Sequence, residues 1–241
     1  MGRTAIVTGG GTGIGRAAAA CLAAEGTTVT ITGRRADVLE RTANEIGARP
    51  VAFDASDVTS VQAALRDLPN QVDVLVNAAG ANADLPTGPP GTDLDAVRRS
   101  WCANFEANVL SAVLTTTALL PRLADGGRII NVGSVTARAG QGSYGAVKAA
   151  LEPWTSELAF QLGHREITAN VVSPGPTEGT DFFHGGDFPP ARREVVEARA
   201  ADGRLGRPEE VGALITFLAS PQASHITGQV LHVSGGLHLG R

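Results

Sequence analysis

The chain has 241 residues, of which 43% are hydrophobic and 18% charged, and its net charge is −4 from 20 basic and 24 acidic side chains. That apolar content excludes a disordered chain, and the lack of any Lys/Arg run leaves no electrostatic footprint for nucleic acid. Two cysteines, Cys21 and Cys102, form neither a CxxC pair nor a ligand cluster, so a disulfide framework and a cysteine-based zinc site are excluded, and no metal is expected. No segment has the length and apolarity of a signal peptide or a membrane span, so a cytoplasmic protein is expected.

Short β-branched runs alternate with Ala/Leu-rich helical stretches. Strands are expected at 3–8, 27–32, 50–53, 72–76, 128–133, 167–172 and 230–233. Helices are expected at 13–25, 36–46, 58–68, 143–162 and 208–219, with a further helical stretch at 105–120. Pro208 opens its helix at a position where a missing N–H costs nothing. This alternation implies an α/β fold: a Rossmann-type, doubly wound parallel sheet, formed by 1–241 as a single domain, with sites at the carboxyl ends of the strands. Two segments break the rhythm. Residues 81–92, rich in Pro and Gly, read as a loop. Residues 175–203 read as a long irregular insertion, a substrate lid of about 175–204, and carry Phe182, Phe183 and Phe188 beside Pro189-Pro190. Closure of this lid over the site is expected, with 179–188 as its variable part.

The first strand runs into Thr8-Gly9-Gly10-Gly11-Thr12-Gly13-Ile14-Gly15 and then a helix. Such a loop lets a pyrophosphate approach the backbone, and the helix then points free N–H groups at it. No Lys-Ser/Thr pair follows, so the loop is not a P-loop and phosphoryl transfer is disfavoured. The second strand ends in Thr32-Gly33-Arg34-Arg35. An acid at that point would bond a ribose 2′-OH and imply NAD; arginines suit the 2′-phosphate of NADP. NADP(H) is therefore favoured, with NAD(H) as the alternative. Asp54 and Ala55, after the third strand, are expected near the adenine.

The chain has one tyrosine, Tyr144, and one lysine, Lys148, the other basic residues being arginine. At i and i+4 on a helix they share a face. An ammonium beside a phenol favours the phenolate, so a lowered Tyr144 pKa is expected. Ser134 closes a strand ten residues earlier, with Gly140 and Gly142 between, and its hydroxyl is placed to bind a substrate carbonyl together with Tyr144. Asn108 is a poor helix-interior residue inside an apolar helical stretch. It reads either as a capped or kinked helix with a satisfied amide or as a kink that frees a backbone group for a proton path.

On these residues the chain resembles the short-chain dehydrogenase/reductases, in the branch of roughly 250 residues with a Tyr-x-x-x-Lys site. Thr8-Gly9-x-x-x-Gly13-Ile14-Gly15 is similar to the family's cofactor loop and Asn77-Ala78-Ala79-Gly80 to its next motif. Ser173-Pro174-Gly175-Pro176-Thr177 is similar to its nicotinamide segment, and Gly206-Arg207-Pro208-Glu209-Glu210-Val211 with Gly235-Gly236 to its C-terminal pattern. The resemblance implies a catalytic tetrad of Asn108, Ser134, Tyr144 and Lys148. Tyr144 would exchange the substrate proton, Ser134 orient the carbonyl, Lys148 hold the nicotinamide ribose, and Asn108 hold a relaying water. It also implies cofactor contacts from Gly9, Thr12, Gly13, Ile14, Gly15, Asn77, Ala78, Ala79, Gly80, Pro174, Gly175 and Thr177, besides Tyr144 and Lys148. Homotetramers or homodimers without metal catalysis are the family's rule. The spacing differs from the Tyr-x6-Lys of enoyl reductases, which favours carbonyl over C=C reduction. Asp125-Gly126-Gly127 stands where an acyl-carrier-binding ketoreductase would carry a basic rim.

The expected function is NADPH-dependent reduction of an apolar ketone, with the small-molecule substrate facing Gln141, Phe182 and Phe183. The alternatives are an NAD-dependent secondary-alcohol dehydrogenase and a non-catalytic NADP-binding sensor on the same fold.

Overall fold

The computed structural model describes residues 2–85, 90–140, 142–183 and 188–239, Phe183 by its backbone alone. Seven strands, β1 (Thr4–Thr8), β2 (Thr28–Gly33), β3 (Arg49–Ala52), β4 (Val72–Asn77), β5 (Leu123–Val132), β6 (Thr168–Pro174) and β7 (Val230–Val233), form one parallel sheet in the order β3-β2-β1-β4-β5-β6-β7. The order reverses between β1 and β4, where Thr8 lies opposite Asn77. That reversal opens a crevice at the strand ends.

The crossovers place α1 (Gly13–Ala24), α2 (Ala36–Ile46), α3 (Val58–Ala64), α4 (Leu94–Phe105), α5 (Ser111–Leu119), α6 (Thr136–Ala139), α7 (Gly142–Leu162), α8 (Pro190–Arg199) and α9 (Pro208–Ala219) around the sheet. Because both faces are covered, the strands are apolar almost throughout: Ala5, Ile6, Val7, Leu75, Val76, Ile129 and Ala169 are fully buried. Two cores result. One joins β1, β2, β5 and β6 to α1 and α9 through Ala18, Leu22, Val211, Ile215 and Leu218. The other packs Val61, Leu119, Leu158 and Leu162 on the opposite face.

Three differences from expectation have local causes. β5 begins at Leu123, five residues before the expected strand, because Gly126 takes a left-handed φ of 73° and the pairing with β4 shifts register between Val72 and Val74. Asp125-Gly126-Gly127 is thus the irregular start of a strand. The insertion at 175–203 is not irregular throughout: Pro189-Pro190 opens α8, a regular helix whose apolar residues are too sparse to announce it. The stretch at 105–120 is a π-helical turn, Glu106–Leu110, followed by α5, and it continues from α4, which ends at Phe105.

Candidate active site

The crevice is a cavity of about 1520 Å3, lined at one end by the glycine loop and the ends of β2 and β3, and at the other by Tyr144, Phe182 and α8. Local backbone chemistry shapes the first end. Gly9 has a φ of 65°, and a Cβ there would lie 2.8 Å from the Ala78 carbonyl oxygen and the Ala79 nitrogen. A Cβ on Gly15 would lie 2.2 Å from the Gly9 oxygen. Only glycine allows this loop to close against both β4 and its own helix. Thr12 precedes α1 in extended conformation and makes no side-chain cap, so the N–H groups of Gly13, Ile14 and Gly15 open into the cavity without intrahelical acceptors.

Two threonines hold the loop: Thr8, which opens the glycine motif but carries no role of its own in the sequence reading, and Thr42, which that reading passed over. Thr8 accepts hydrogen bonds from the Ala78 and Ala79 N–H groups, 3.1 Å each, which locks the β1 end to the β4 end. Thr42 of α2 donates to the Gly11 carbonyl at 2.8 Å. Each is buried and polar, the signal that marks it. Asn77 lies behind the cavity wall. Its amide donates to Thr116 Oγ1 at 2.9 Å and Asn131 Oδ1 at 2.8 Å, and Asn131 passes the chain on to Thr155, so Asn77 ties the central strands to α5 and α7. Ala78, Ala79 and Gly80 line the cavity itself, as do Pro174, Gly175 and Thr177. Thr177 is fixed there by donating to the Gly175 carbonyl and by a bridge to Gly206.

Arg34 and Arg35 both line the cavity mouth but differ in their partners. Arg35 forms an ion pair with Asp181 at 3.2 Å. Arg34 has no carboxylate in ion-pair range among the described residues. Beside it, Asp54 accepts from the Ser56 hydroxyl at 2.6 Å and the Ser56 N–H at 2.9 Å. Those bonds, above all the hydroxyl's, and the nearby Arg34 charge hold its carboxyl below the usual range. Ala55 completes this wall.

At the other end the four residues of the expected tetrad converge. Tyr144 and Lys148 rise from the first turns of α7, 7% and 5% exposed. The Lys148 ammonium lies 5.9 Å from the Tyr144 ring centroid and donates to the Val132 carbonyl at 2.9 Å. Ser134 follows β5, its hydroxyl within hydrogen-bonding reach of the Tyr144 phenol and accepting from Thr136 Oγ1 at 2.8 Å. Asn108 sits in the π-helical turn, which turns its amide out of the regular helix to donate to the Ala81 carbonyl at 2.7 Å and the Asn104 carbonyl at 2.9 Å. Among the described residues its Oδ1 is buried without a partner. A Cβ on Gly80 would lie 2.6 Å from that oxygen and 3.2 Å from Lys148 Nζ, so the bare glycine keeps open a polar gap between the two side chains.

The expected lowering of the Tyr144 pKa does not hold for this site. Burial dominates and pushes the phenol well above its ordinary value, opposed only by the Ser134 hydrogen bond. Burial also pushes Lys148 down, to about 8. Desolvation penalises both charged forms, phenolate and ammonium, and it is the dominant cause at both residues.

Phe182 packs on Tyr144 with ring centroids 5.5 Å apart, and Phe188 is buried against the cavity. α8 turns Val195 and Val196 toward the same space, while Arg193 on its other side pairs with Glu178 and Glu197. Gln141, the side chain of Phe183 and residues 184–187 of the expected variable segment lie outside the described residues. Among the described residues no cluster of three metal-ligating side chains occurs, and no helix is long and apolar enough to cross a membrane.

The chain is similar to known proteins over nearly its whole length. A family model described as enoyl-(acyl carrier protein) reductase, adh_short_C2, matches residues 9–238. The 3-oxoacyl-[acyl-carrier-protein] reductase FabG of Vibrio cholerae is 34% identical over 248 residues, covering 99% of this chain and 98% of that protein. The short-chain reductase protein NovJ of Streptomyces niveus is 34% identical over 249 residues, covering 96% and 92%. Among solved structures, a blue fluorescent protein from a metagenomic library in complex with NADPH superposes with a TM-score of 0.86 at 35% identity, over 99% of this chain and 98% of that one. BdcA in complex with NADPH gives a TM-score of 0.86 at 31% identity, over 100% and 96%. With its parallel sheet, glycine loop and buried Tyr-x-x-x-Lys pair, the chain belongs to the short-chain dehydrogenase/reductase family of oxidoreductases.

Proposed function

We propose that this protein reduces the carbonyl of an apolar ketone to a secondary alcohol with NADPH. The observation that carries the reading is the convergence of the Tyr144 phenol, the Ser134 hydroxyl and the Lys148 ammonium at one end of a cavity whose other end is the glycine loop. The cavity suits a dinucleotide: unbonded N–H groups at the start of α1 face the place of a pyrophosphate, and Arg34 faces that of a 2′-phosphate. When bound, NADPH supplies the hydride. Ser134 Oγ and Tyr144 Oη both donate to the substrate oxygen, which fixes the carbonyl and stabilises the negative charge that develops there. Tyr144 Oη then gives up its proton to that oxygen. The Lys148 ammonium stabilises the phenolate left behind, and the gap between Lys148, Gly80 and Asn108 Oδ1 is a polar path by which a water returns the proton. Phe182, Phe188, Val195 and Val196 give the substrate end an apolar wall, beside which Arg192 and Arg199 of α8 also line the cavity.

The family model's description names an enoyl reductase, but Tyr144 and Lys148 stand four residues apart, the spacing that favours carbonyl reduction. An NAD-dependent alcohol dehydrogenase is the second reading, and it rests on Asp181 neutralising Arg35. We place the enzyme in the cytoplasm as a homo-oligomer. Leu94, Trp101 and Phe105, exposed along one stripe of α4, and Phe160, 87% exposed on α7, supply an apolar face for a second copy.

The test is a panel of apolar ketones and the matching alcohols, assayed with NADPH, NADH and their oxidised forms. Ketone-dependent oxidation of NADPH is the expected result. Tight NADPH binding with no turnover on any member would support a sensor instead. A pH profile adds an independent check. Because burial lets Lys148 lose its proton near 8, the cation that assists Tyr144 disappears above that value. The kcat/KM for the ketone is expected to be level below about pH 8 and to fall about tenfold per unit above it. A profile that stays flat through that range would show that Lys148 keeps its proton there in the working enzyme.

A further inference from the structure

One polar cluster beside the site is not used by the mechanism above. Asp84 lies in the loop after β4, and its carboxylate gathers donors from two helices. Oδ1 accepts from the Ser100 hydroxyl of α4. Oδ2 accepts from the Ser143 hydroxyl of α7 at 3.0 Å and from the Asn104 amide of α4 at 3.3 Å. Asn104 also donates to Ser143 Oγ at 2.7 Å, and its Oδ1 accepts from the Ala83 N–H at 2.8 Å. Asn104 is fully buried and Ser143 is 3% exposed, so neither has water to replace these partners. No cation belongs to the cluster among the described residues, so it does not read as an ion pair.

Its position decides what it can do. Ser143 directly precedes Tyr144. Asn104 offers its backbone carbonyl to the Asn108 amide, and Ala81, three residues before Asp84, offers its own. One carboxylate is therefore bonded to the turn that carries Tyr144 and, through Asn104, to the turn that carries Asn108. Apolar packing would hold α4 and α7 together, but it is tolerant of sliding along their axes. Directional bonds to a shared acceptor fix that register.

We propose that Asp84 is a positioning residue, which sets the placement of Tyr144 relative to Asn108 and the bound carbonyl. The inference rests on the catalytic reading of Tyr144 given above. Asp84→Ala frees the first turn of α7, and misplacing a proton donor by a fraction of an ångström costs on the order of 10- to 100-fold in kcat. The KM for NADPH is expected to stay within about twofold, because the glycine loop and Arg34 are untouched. Asp84→Asn, which retains one acceptor oxygen and gains an amide donor for either serine, should recover most of the loss. Ser143→Ala is expected to lower kcat in the same direction, and adding it to Asp84→Ala should cost little more, since both break one network.

A second readout uses the single tyrosine of the chain: ring-labelled tyrosine gives one set of NMR signals, all from Tyr144. These signals should shift or broaden in Asp84→Ala. If Asp84→Ala folds poorly, Ser143→Ala is measured in the same two ways and decides the matter. An unchanged kcat with unchanged ring signals would overturn the proposal, as would a loss confined to NADPH affinity or equal losses in the Ala and Asn variants. Failure of the catalytic reading is distinct: it would show as normal turnover by Tyr144→Phe.

Discussion

Tyr144→Phe is expected to lower kcat by at least about 100-fold while leaving the dissociation constant for NADPH within about twofold. The substitution removes one oxygen and keeps the ring, so the packing of Phe182 on the ring at 5.5 Å survives. Ser134 keeps its bond from Thr136 and remains in place to bind a carbonyl. Lys148 keeps its bond to the Val132 carbonyl. What is lost is the only phenolic proton in the chain. The buried hydroxyl gives up about 1 kcal/mol of hydrogen-bond energy, so thermal unfolding should move by only a few degrees. Steady-state kinetics, NADPH titration and a melting curve together check the expectation. A variant that turns over near the wild-type rate would show that the proton comes from elsewhere.

Arg34→Ala is expected to raise the KM for NADPH by about 10- to 100-fold and to leave that for NADH nearly unchanged. The magnitude follows from losing a charge-assisted hydrogen bond to a phosphate, about 1.5–3 kcal/mol. Arg35→Ala should do somewhat less, because Arg35 must give up its pair with Asp181 to reach a phosphate. Its guanidinium is already engaged with Asp181 at 3.2 Å, both side chains being 60% exposed, and such a surface pair contributes about 0–1 kcal/mol. Asp181→Ala should then free Arg35 and modestly lower the KM for NADPH. Measuring the two cofactors side by side for the three variants checks this. Equal effects of Arg34→Ala on NADPH and NADH would show that this arginine faces only solvent, and the NAD-dependent reading would become the better one.

Much of this site was legible in the sequence because its chemistry is written in short spacings. The glycine loop needs a strand before it and a helix after it, and both are local. Tyr144 and Lys148 meet because residues four apart share a helix face. Short strands alternate with helical stretches along the chain, and that alternation implied the parallel sheet. Even the break at Asn108 was visible as an amide out of place in an apolar helix, although its form, a π-helical turn, was not.

Tertiary structure decided the rest, because it depends on groups far apart in the chain. Spacing alone implied that Lys148 would lower the Tyr144 pKa; enclosure by the surrounding elements gives the opposite direction, since desolvation dominates at the phenol. Arg34 and Arg35 are equivalent in sequence, and only the return of Asp181, 146 residues later, separates them. α8 has too few apolar residues to show a helical period, and Pro189-Pro190 looked like a loop until the helix it opens was seen against the cavity. The bonds that join Asp84 to Ser143 cross 59 residues, and no local pattern marks them. The sequence by itself thus determined which groups could react, through short motif spacings and the helical period of 3.6 residues. The fold determined their charge states, their partners and their alignment, because burial and long-range hydrogen bonds exist only once the sheet and its helices have closed around them.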